Sequence, residues 1–300
     1  MTSFFRRAPV HDDGVPALEL RGVSVRYNGT LALDAVSLRL QRGARVAVVG
    51  PNGAGKSTLF NVIAGVVQPV KGEARIYGSG PRGHICVGYV PQRKTIDWDF
   101  PVTVADVVMM GRVGRMGLFR WPGRQDHERV KAVLAEVGMS AFASRQIGEL
   151  SGGQQQRIFV ARALAQEAEL LLMDEPLIGL DMPSQEAILS IIQRLQAQGI
   201  TVLVATHDLN QAAEMFPLVA LLNRRLIAFG PPAQVLTTDN LLQAYGGQMH
   251  VVHTEDGELI LTDTCCGGGH PMDVTHIAHT VPSAVQSVEH ETVANLRPPH

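Results

Sequence analysis

The stretch "GPNGAGKS", residues 50–57, constrains the fold more strongly than any other part of this 300-residue chain. It matches G-x-x-x-x-G-K-[ST] at every fixed position, between the apolar run "ARVAVVG" and the helically spaced run "KSTLFNVIAG". A loop of this kind joins a buried strand to a helix, and its N–H groups and the positive helix end bind phosphate. The pattern predicts a nucleotide phosphate loop made of Gly50, Pro51, Asn52, Gly53, Ala54, Gly55, Lys56, Ser57 and Thr58.

Several side chains near such a loop have the chemistry needed to cleave a phosphate. Lys56 is predicted to reach the β- and γ-phosphates and Ser57 to hold Mg²⁺. At the end of the apolar run "LLLMDE", Asp174 fits the carboxylate on the Mg²⁺ side and Glu175 fits the base that polarises water. The alternative for these two carboxylates is a solvated turn. His207 follows the run "TVLVAT", but a lone histidine at a strand end is more often structural.

Apolar runs alternate with helical patterns along the chain, which predicts an α/β fold with a parallel sheet covered by helices. The segments "LELRGVSVRYNG" and "LDAVSLRLQRG" alternate like strands joined at Asn28-Gly29, and "LVALLNRRLIAFG" is typical of a hairpin around Asn223. Residues 102–165 are mostly helical in pattern, with the interruption "GRVGRMGLFRWPGR".

Composition excludes several classes of function. A net charge of −2 gives no reason to expect a nucleic acid partner, and three cysteines cannot form a disulfide framework. No apolar run approaches the roughly 18 residues of a membrane span, and no apolar run follows the basic residues near the start, so no signal peptide is expected. Any membrane role is therefore expected to come through a partner.

The motifs "GPNGAGKST", "VPQ", "LSGGQQQR", "LLLMDEP", "GLD" and "ATHD" occur in this order. With them the chain resembles the ATP-binding subunit of an ABC transporter over roughly residues 17–247. The resemblance implies the core of an ABC ATPase of the P-loop NTPase class. Its parts would be a parallel sheet covered by helices, an antiparallel β subdomain, and a helical subdomain inserted at about residues 93–160.

The resemblance also implies a function for the second glycine-rich segment, "LSGGQ". In that family two chains pack head to tail, and each ATP lies between the phosphate loop of one chain and the LSGGQ segment of the other. The segment opens a helix whose N–H groups and dipole can meet a γ-phosphate. The residues implied to bind the partner's ATP are Ser151, Gly152, Gly153 and Gln154.

The resemblance implies four further roles near the nucleotide. Tyr27 would stack on the adenine, although an ordinary aromatic at a strand end is the alternative. Gln92 would sense the γ-phosphate and bind Mg²⁺, and Asp181 would cross the dimer interface. His207 becomes the switch histidine, which reverses the preference for a structural role.

The segment "VPQRKTIDWDFPVTVADVVMMGR" indicates one subfamily of these ATPases. It is similar to the corresponding part of the ATPases of manganese, zinc and iron uptake systems, on the strength of Arg93, Ile96, Asp97, Trp98, Phe100 and Pro101. The alternative is a helical lid common to all ABC ATPases. The implied partners are a second copy of the chain, an integral membrane permease and a substrate-binding protein, with the chain bound peripherally at the cytoplasmic face of the membrane.

The sequence thus predicts an ATP-hydrolysing, energy-coupling subunit of an importer for a divalent metal ion. The overall likeness favours manganese over zinc or iron. Two alternatives are an ABC ATPase for another substrate, such as a siderophore or a drug, and a soluble ABC ATPase such as one in iron–sulfur cluster assembly.

Residues 248–300 differ in composition from the rest of the chain. From residue 250 onward there are seven acidic residues, one arginine and seven of the 11 histidines. The segment is expected to be a mobile acidic tail, with metal binding as the alternative through Cys265, Cys266, His270, His276 and His279. The stretch "VVHTEDGELILTD" fits a hairpin that turns at Asp256-Gly257.

Overall fold

The computed structural model describes residues 14–81, 86–92, 98, 100–116, 121–246, 249–254 and 257–262. The chain divides into two compact units, Met1–Gly246 and Gly247–His300. In the first unit the strands are β1 (Leu18–Tyr27), β2 (Thr30–Leu40), β3 (Arg45–Val49), β4 (Lys71–Ile76), β5 (Val87–Val90), β6 (Leu170–Asp174), β7 (Thr201–Thr206), β8 (Leu218–Asn223) and β9 (Arg225–Gly230).

Helices occupy most of the remaining described residues of the first unit. They are α1 (Lys56–Ile63), α2 (Val104–Met110), α3 (Val113–Met116), α4 (Arg124–Glu136), α5 (Gly152–Ala165), α6 (Met182–Ala197), α7 (Leu209–Met215), α8 (Pro232–Val235) and α9 (Thr238–Tyr245). None of the described helices combines the length and apolar character that crossing a bilayer requires.

The main sheet has six strands in the order β5-β6-β7-β3-β8-β9. All neighbouring pairs are parallel except β8 and β9, so the predicted parallel sheet is confirmed with one antiparallel strand at its edge. Every residue of β6 and β7 is buried, which explains why these strands are continuous apolar runs in the sequence. Because β6, β7 and β3 are neighbours, the segments after their C-terminal ends meet at one edge of the sheet.

A second sheet is antiparallel, with the order β2-β1-β4. The turn between β1 and β2 lies at the predicted Asn28 and Gly29, whose φ angles of 47° and 82° are both positive, as a tight primed turn requires. The predicted β8–β9 hairpin also forms. Its connecting residue is Arg224, with φ 57°, because Asn223 is the last paired residue of β8.

Most of the described residues between 102 and 165 lie in helices, as their pattern predicts. Thr103 caps α2 in a capping box with Asp106, and α2 and α4 both pack against α5. The long helix α5 therefore forms the centre of this group and also contacts α6 and β5.

The second unit contains a hairpin of β10 (Met249–Thr254) and β11 (Gly257–Thr262). The predicted hairpin is therefore confirmed, but the turn position predicted for Gly257 is wrong. Pairing continues to Thr254 opposite Gly257, so this glycine is the first residue of β11 and not a turn residue. The candidate metal ligands of this segment, from Cys265 to His279, lie outside the described residues.

Candidate functional site

The phosphate loop lies between β3 and α1 and forms one wall of a cavity of about 340 Å³. Two glycines of the loop approach other backbone too closely for a side chain. A Cβ on Gly50 (φ 155°) would lie 2.0 Å from the Leu222 carbonyl oxygen, and one on Gly55 (φ 97°) would lie 2.6 Å from the Ala32 carbonyl oxygen. Glycine is thus required where the loop leaves β3 and where it enters α1.

The loop residues and the predicted carboxylates share this cavity. Its lining consists of Ala32, Asn52, Gly53, Ala54, Gly55, Lys56, Ser57, Thr58, Gln92, Asp174 and Glu175. Residues from four separate parts of the chain, on β2 and at the ends of β3, β5 and β6, thus meet in one place. The sequence predicted most of this set, but not Ala32, whose carbonyl contact with Gly55 depends on how β2 packs.

Lys56 is buried, with 7% of its surface exposed, and its ammonium donates hydrogen bonds to the carbonyl oxygens of Gly50 (2.6 Å) and Pro51 (3.1 Å). Burial lowers the pKa of Lys56, while the nearby carboxylates of Glu175 and Asp174 raise it. The lysine at the first position of α1 thus places a positive charge in a partly dehydrated site, where charge–charge interactions are stronger than in water.

Asp174 ends β6 and is 6% exposed. Burial has the largest effect and raises the pKa of the Asp174 carboxyl group. A hydrogen bond with Ser57 lowers this pKa, and the negative charge of Glu175 raises it. The Tyr89 hydroxyl on β5 donates to Asp174 Oδ2 at 3.4 Å. Carboxylate and hydroxyl oxygens are the ligands that Mg²⁺ prefers, so Asp174 and Ser57 fit a magnesium site.

Tyr89 is a site residue that sequence reasoning missed. The sequence shows only that Tyr89 lies three residues before Gln92, and the pairing of β5 with β6 places its hydroxyl beside Asp174. Burial and the adjacent Asp174 raise the pKa of Tyr89 to about 12, so its hydroxyl stays a hydrogen-bond donor at neutral pH.

Glu175 adopts a left-handed backbone conformation, with φ 50°, directly after β6. Its N–H donates to the carbonyl oxygen of Ala205 on β7 at 3.0 Å. Its carboxylate accepts a hydrogen bond from the side-chain amide of Gln92, and His207 Nδ1 lies 3.5 Å from its other oxygen. The structure therefore brings Gln92, Glu175 and His207 together, and strained backbone of this kind is concentrated at functional sites.

Glu175 also lines a second cavity, of about 230 Å³, beside the first. His207 lies here with half of its side chain exposed, and the Gln211 side chain on α7 donates to Gln185 on α6 at 3.4 Å. The two glutamines were not predicted, because sequence spacing does not show that α6 and α7 converge.

The LSGGQ segment lies at the beginning of α5. Ser151 caps the helix by accepting from the Gln154 N–H at 3.4 Å, and Gln154 Oε1 accepts from the Ser151 N–H at 2.9 Å. Gly153 packs against α6, where a Cβ would lie 2.2 Å from Ser184 Oγ. Residues 151–154 line neither of the two cavities described above. The segment is a formed helix start at a separate place from the phosphate loop of its own chain.

Tyr27 and Asp181 also lie apart from the lining of these cavities. Tyr27 is the last residue of β1 and is 46% exposed, which suits a stacking surface. Asp181 is exposed immediately before α6, and its side chain does not cap that helix.

Comparison with known proteins agrees with this geometry. A family model described as ABC transporter matches residues 33–178. The chain is 47% identical over 233 residues to the manganese transport system ATP-binding protein MntB of Bacillus subtilis, which covers 77% of this chain and 93% of that protein. It is 44% identical over 234 residues to the zinc transport system ATP-binding protein TroB of Treponema pallidum, covering 78% and 88% respectively.

Solved structures are similar over the same part of the chain. One, a metal-chelate type ABC transporter in an inward-facing conformation, has a TM-score of 0.70 and 30% sequence identity, covering 82% of this chain and 96% of that one.

Proposed function

The chain belongs to the family of ABC transporter ATP-binding subunits and is an ATPase, and from that premise we propose that it drives the import of a divalent metal ion, manganese first. The observation that carries the choice of metal is the 47% identity, over nearly the whole relative, to a manganese transport subunit. The zinc relative at 44% makes zinc the second candidate.

ATP binds with its phosphates in the loop of residues 50–58. Backbone N–H groups and the start of α1 face the phosphates, and Lys56 exchanges its hydrogen bonds to Gly50 and Pro51 for the β- and γ-phosphate oxygens. Ser57, Gln92 and Asp174 line the same cavity and offer the hard oxygen ligands that hold Mg²⁺. When bound, that ion neutralises charge on the phosphate oxygens.

Hydrolysis is the role of Glu175. Its carboxylate accepts a proton from the attacking water as the water oxygen bonds to the γ-phosphorus and the bond to ADP breaks. Gln92 donates to this carboxylate and His207 lies 3.5 Å from it, so both orient the base and monitor the γ-phosphate.

The LSGGQ segment serves the ATP of a second copy of the chain, packed head to tail. Ser151, Gly152, Gly153 and Gln154 begin a 14-residue helix whose positive end suits a γ-phosphate, yet they line neither cavity near their own phosphate loop. In this dimer the exposed Tyr27 stacks on the adenine, and the exposed Asp181 contacts the second copy across the interface.

An integral membrane permease contacts the helical region, and the chain works peripherally at the cytoplasmic face of the membrane with a substrate-binding protein outside. Phe100 is 57% exposed and Trp121 is 93% exposed in this region, as a docking surface requires. Trp98 packs edge-on against Phe159 of α5 with 5.3 Å between ring centroids, so this tryptophan is fixed against the helical region.

The test is uptake of labelled manganese, zinc and iron by cells that carry or lack this chain with its permease. Cells complemented with wild-type protein should recover manganese uptake, and cells with Glu175→Gln should not. The matched control is Lys131→Ala, an exposed change on α4. Selective recovery of zinc would move the proposal to the second metal. Recovery of no metal, with ATPase activity intact, would overturn metal import.

A further inference from the structure

The turn between β8 and β9, residues 223–225, touches three parts of the molecule at once. We call it the β8–β9 turn. Strand β8 is the parallel neighbour of β3, with Leu221 paired to Val49, so the two strands end side by side. The phosphate loop begins at the end of β3 and the β8–β9 turn begins at the end of β8, which places the turn beside the loop.

The β8–β9 turn contacts the phosphate loop through backbone. The Arg224 N–H donates to the carbonyl oxygen of Ala54 at 2.8 Å, and Ala54 is 1% exposed. One residue before the turn, the Leu222 carbonyl oxygen occupies the space where a side chain on Gly50 would be. The end of β8 therefore lies against the loop at Gly50 and bonds to it at Ala54, whose N–H also donates to the Pro51 carbonyl oxygen within the loop.

The turn reaches this position through an unfavourable backbone conformation. Arg224 has φ 57°, a left-handed value that most side chains disfavour, while its side chain is exposed. Such strain persists only where surrounding contacts fix the backbone. Arg224 thus fixes the turn through its backbone N–H and C=O groups, and its side chain has no part in these contacts.

Two anchors fix the turn from outside the phosphate loop. On the β2 side, the Asp34 N–H donates to the Arg224 carbonyl oxygen at 2.8 Å, and the Asp34 carboxylate pairs with the Arg225 guanidinium, whose Nε lies 2.6 Å away. On the α9 side, the Asn223 side-chain amide donates to the Ala244 carbonyl oxygen at 2.7 Å. Ala244 is buried near the end of α9, the last helix of the first unit among the described residues.

We propose that the β8–β9 turn is a positioning element that holds the phosphate loop in its phosphate-binding shape. Asn223 and the Asp34–Arg225 pair fix the position of the turn. Because Asn223 bonds to Ala244 near the end of α9, that helix is thereby linked to ATP affinity. The inference rests on the proposed role of residues 50–58. Glu175, Gln92 and His207 lie after other strands, so the turn governs binding of ATP more than its cleavage.

The sharpest test compares two substitutions at Arg224. Arg224→Gly keeps both backbone contacts and removes the strain, so ATP should bind at least as tightly as to the wild type. Arg224→Val places a β-branched residue at a positive φ and should weaken ATP binding roughly 5-fold. The measurements are Kd by titration with a fluorescent ATP analogue, together with KM and kcat. Equal losses in both variants would assign the effect to the side chain and overturn the proposal.

The anchors are tested by Asn223→Leu and by a charge exchange. Asn223→Leu removes one hydrogen bond and should raise Kd and KM roughly 5-fold, with kcat and Tm near wild type. Asp34→Arg should weaken ATP binding, and adding Arg225→Asp should restore much of the loss by re-forming the pair. Unchanged affinity in Asn223→Leu, or parallel loss of kcat, affinity and Tm, would contradict a positioning role. Lys56→Ala is the benchmark: if it too binds ATP normally, the phosphate loop assignment fails instead.

Discussion

Two glycine-rich segments open helices in this protein, and their surroundings differ. The phosphate loop before α1 lies in a cavity with a buried lysine, two carboxylates and a glutamine. The LSGGQ segment at the start of α5 has Ser151 exposed, and its capping box satisfies the N–H groups of Ser151 and Gln154. The two helix starts are thus similar locally, but among the described residues only the phosphate loop has carboxylates and a lysine beside it.

The difference shows that a glycine-rich helix start becomes part of a complete hydrolytic site only where the fold brings further side chains to it. The edge formed by β3, β6 and β7 does so for the phosphate loop. At the start of α5, Gly153 is instead packed closely against Ser184 of α6. We therefore expect the two segments to fail in different ways when they are altered.

The largest effect is expected from Lys56→Ala. It removes the buried ammonium that we propose binds the β- and γ-phosphates, so ATP binding should fall by at least about 100-fold. Equilibrium binding of a labelled ATP analogue measures this, with Lys131→Ala as the exposed control. Binding within a few-fold of wild type would show that the cavity does not hold the triphosphate.

Glu175→Gln should separate binding from cleavage at the same site. The amide cannot accept the proton of the attacking water, so kcat should fall by about 10²–10⁴ while ATP still binds. ATP should then trap the dimer, which size-exclusion chromatography with and without ATP detects. Turnover near the wild-type value would refute the assignment of Glu175 as the base.

Ser151→Arg tests the other segment. It should stop hydrolysis in the partner's site but leave ATP affinity in its own chain near wild type, because Ser151 does not line that cavity. Mixing this variant with Lys56→Ala chains should restore partial ATPase activity, since one composite site then has two intact halves. Persistent inactivity of the mixture would argue against head-to-tail packing.

The smallest effect concerns stability. Burial is the main cause of the raised pKa of Asp174, so the folded state binds a proton there more tightly than the unfolded chain does. The ionised carboxylate therefore lowers the free energy of unfolding above the folded-state pKa, and this cost disappears as pH falls through it. Without nucleotide, Asp174→Asn should have a higher Tm than wild type at neutral pH, and the gain should shrink on acidification.

Thermal unfolding across a pH series measures this gain. The exposed Glu186→Gln on α6 serves as the control and should change Tm little. The stabilised Asp174→Asn variant should lose Mg²⁺-dependent ATPase activity. A lower Tm than wild type at neutral pH would show that the carboxylate stabilises the fold through its neighbours.

Much of this site could be predicted because its signals are local. The phosphate loop, the two carboxylates at the end of β6 and the cap of α5 each depend on a few consecutive residues whose backbone conformation is specific. Prediction failed where the outcome depended on pairing between distant segments. Tyr89 and Gln185 gain their roles from neighbouring strands and helices, and Gly257 became a strand residue because pairing continued as far as Thr254.

The sequence by itself determined the family, the alternation of strands and helices, and the residues able to bind phosphate, because these depend on residue type and spacing. The tertiary structure alone decided that Glu175 meets Gln92 and His207, and that the β8–β9 turn holds Ala54. The physical reason is strand order. Sequence shows which strands exist, but only packing decides which of them end side by side.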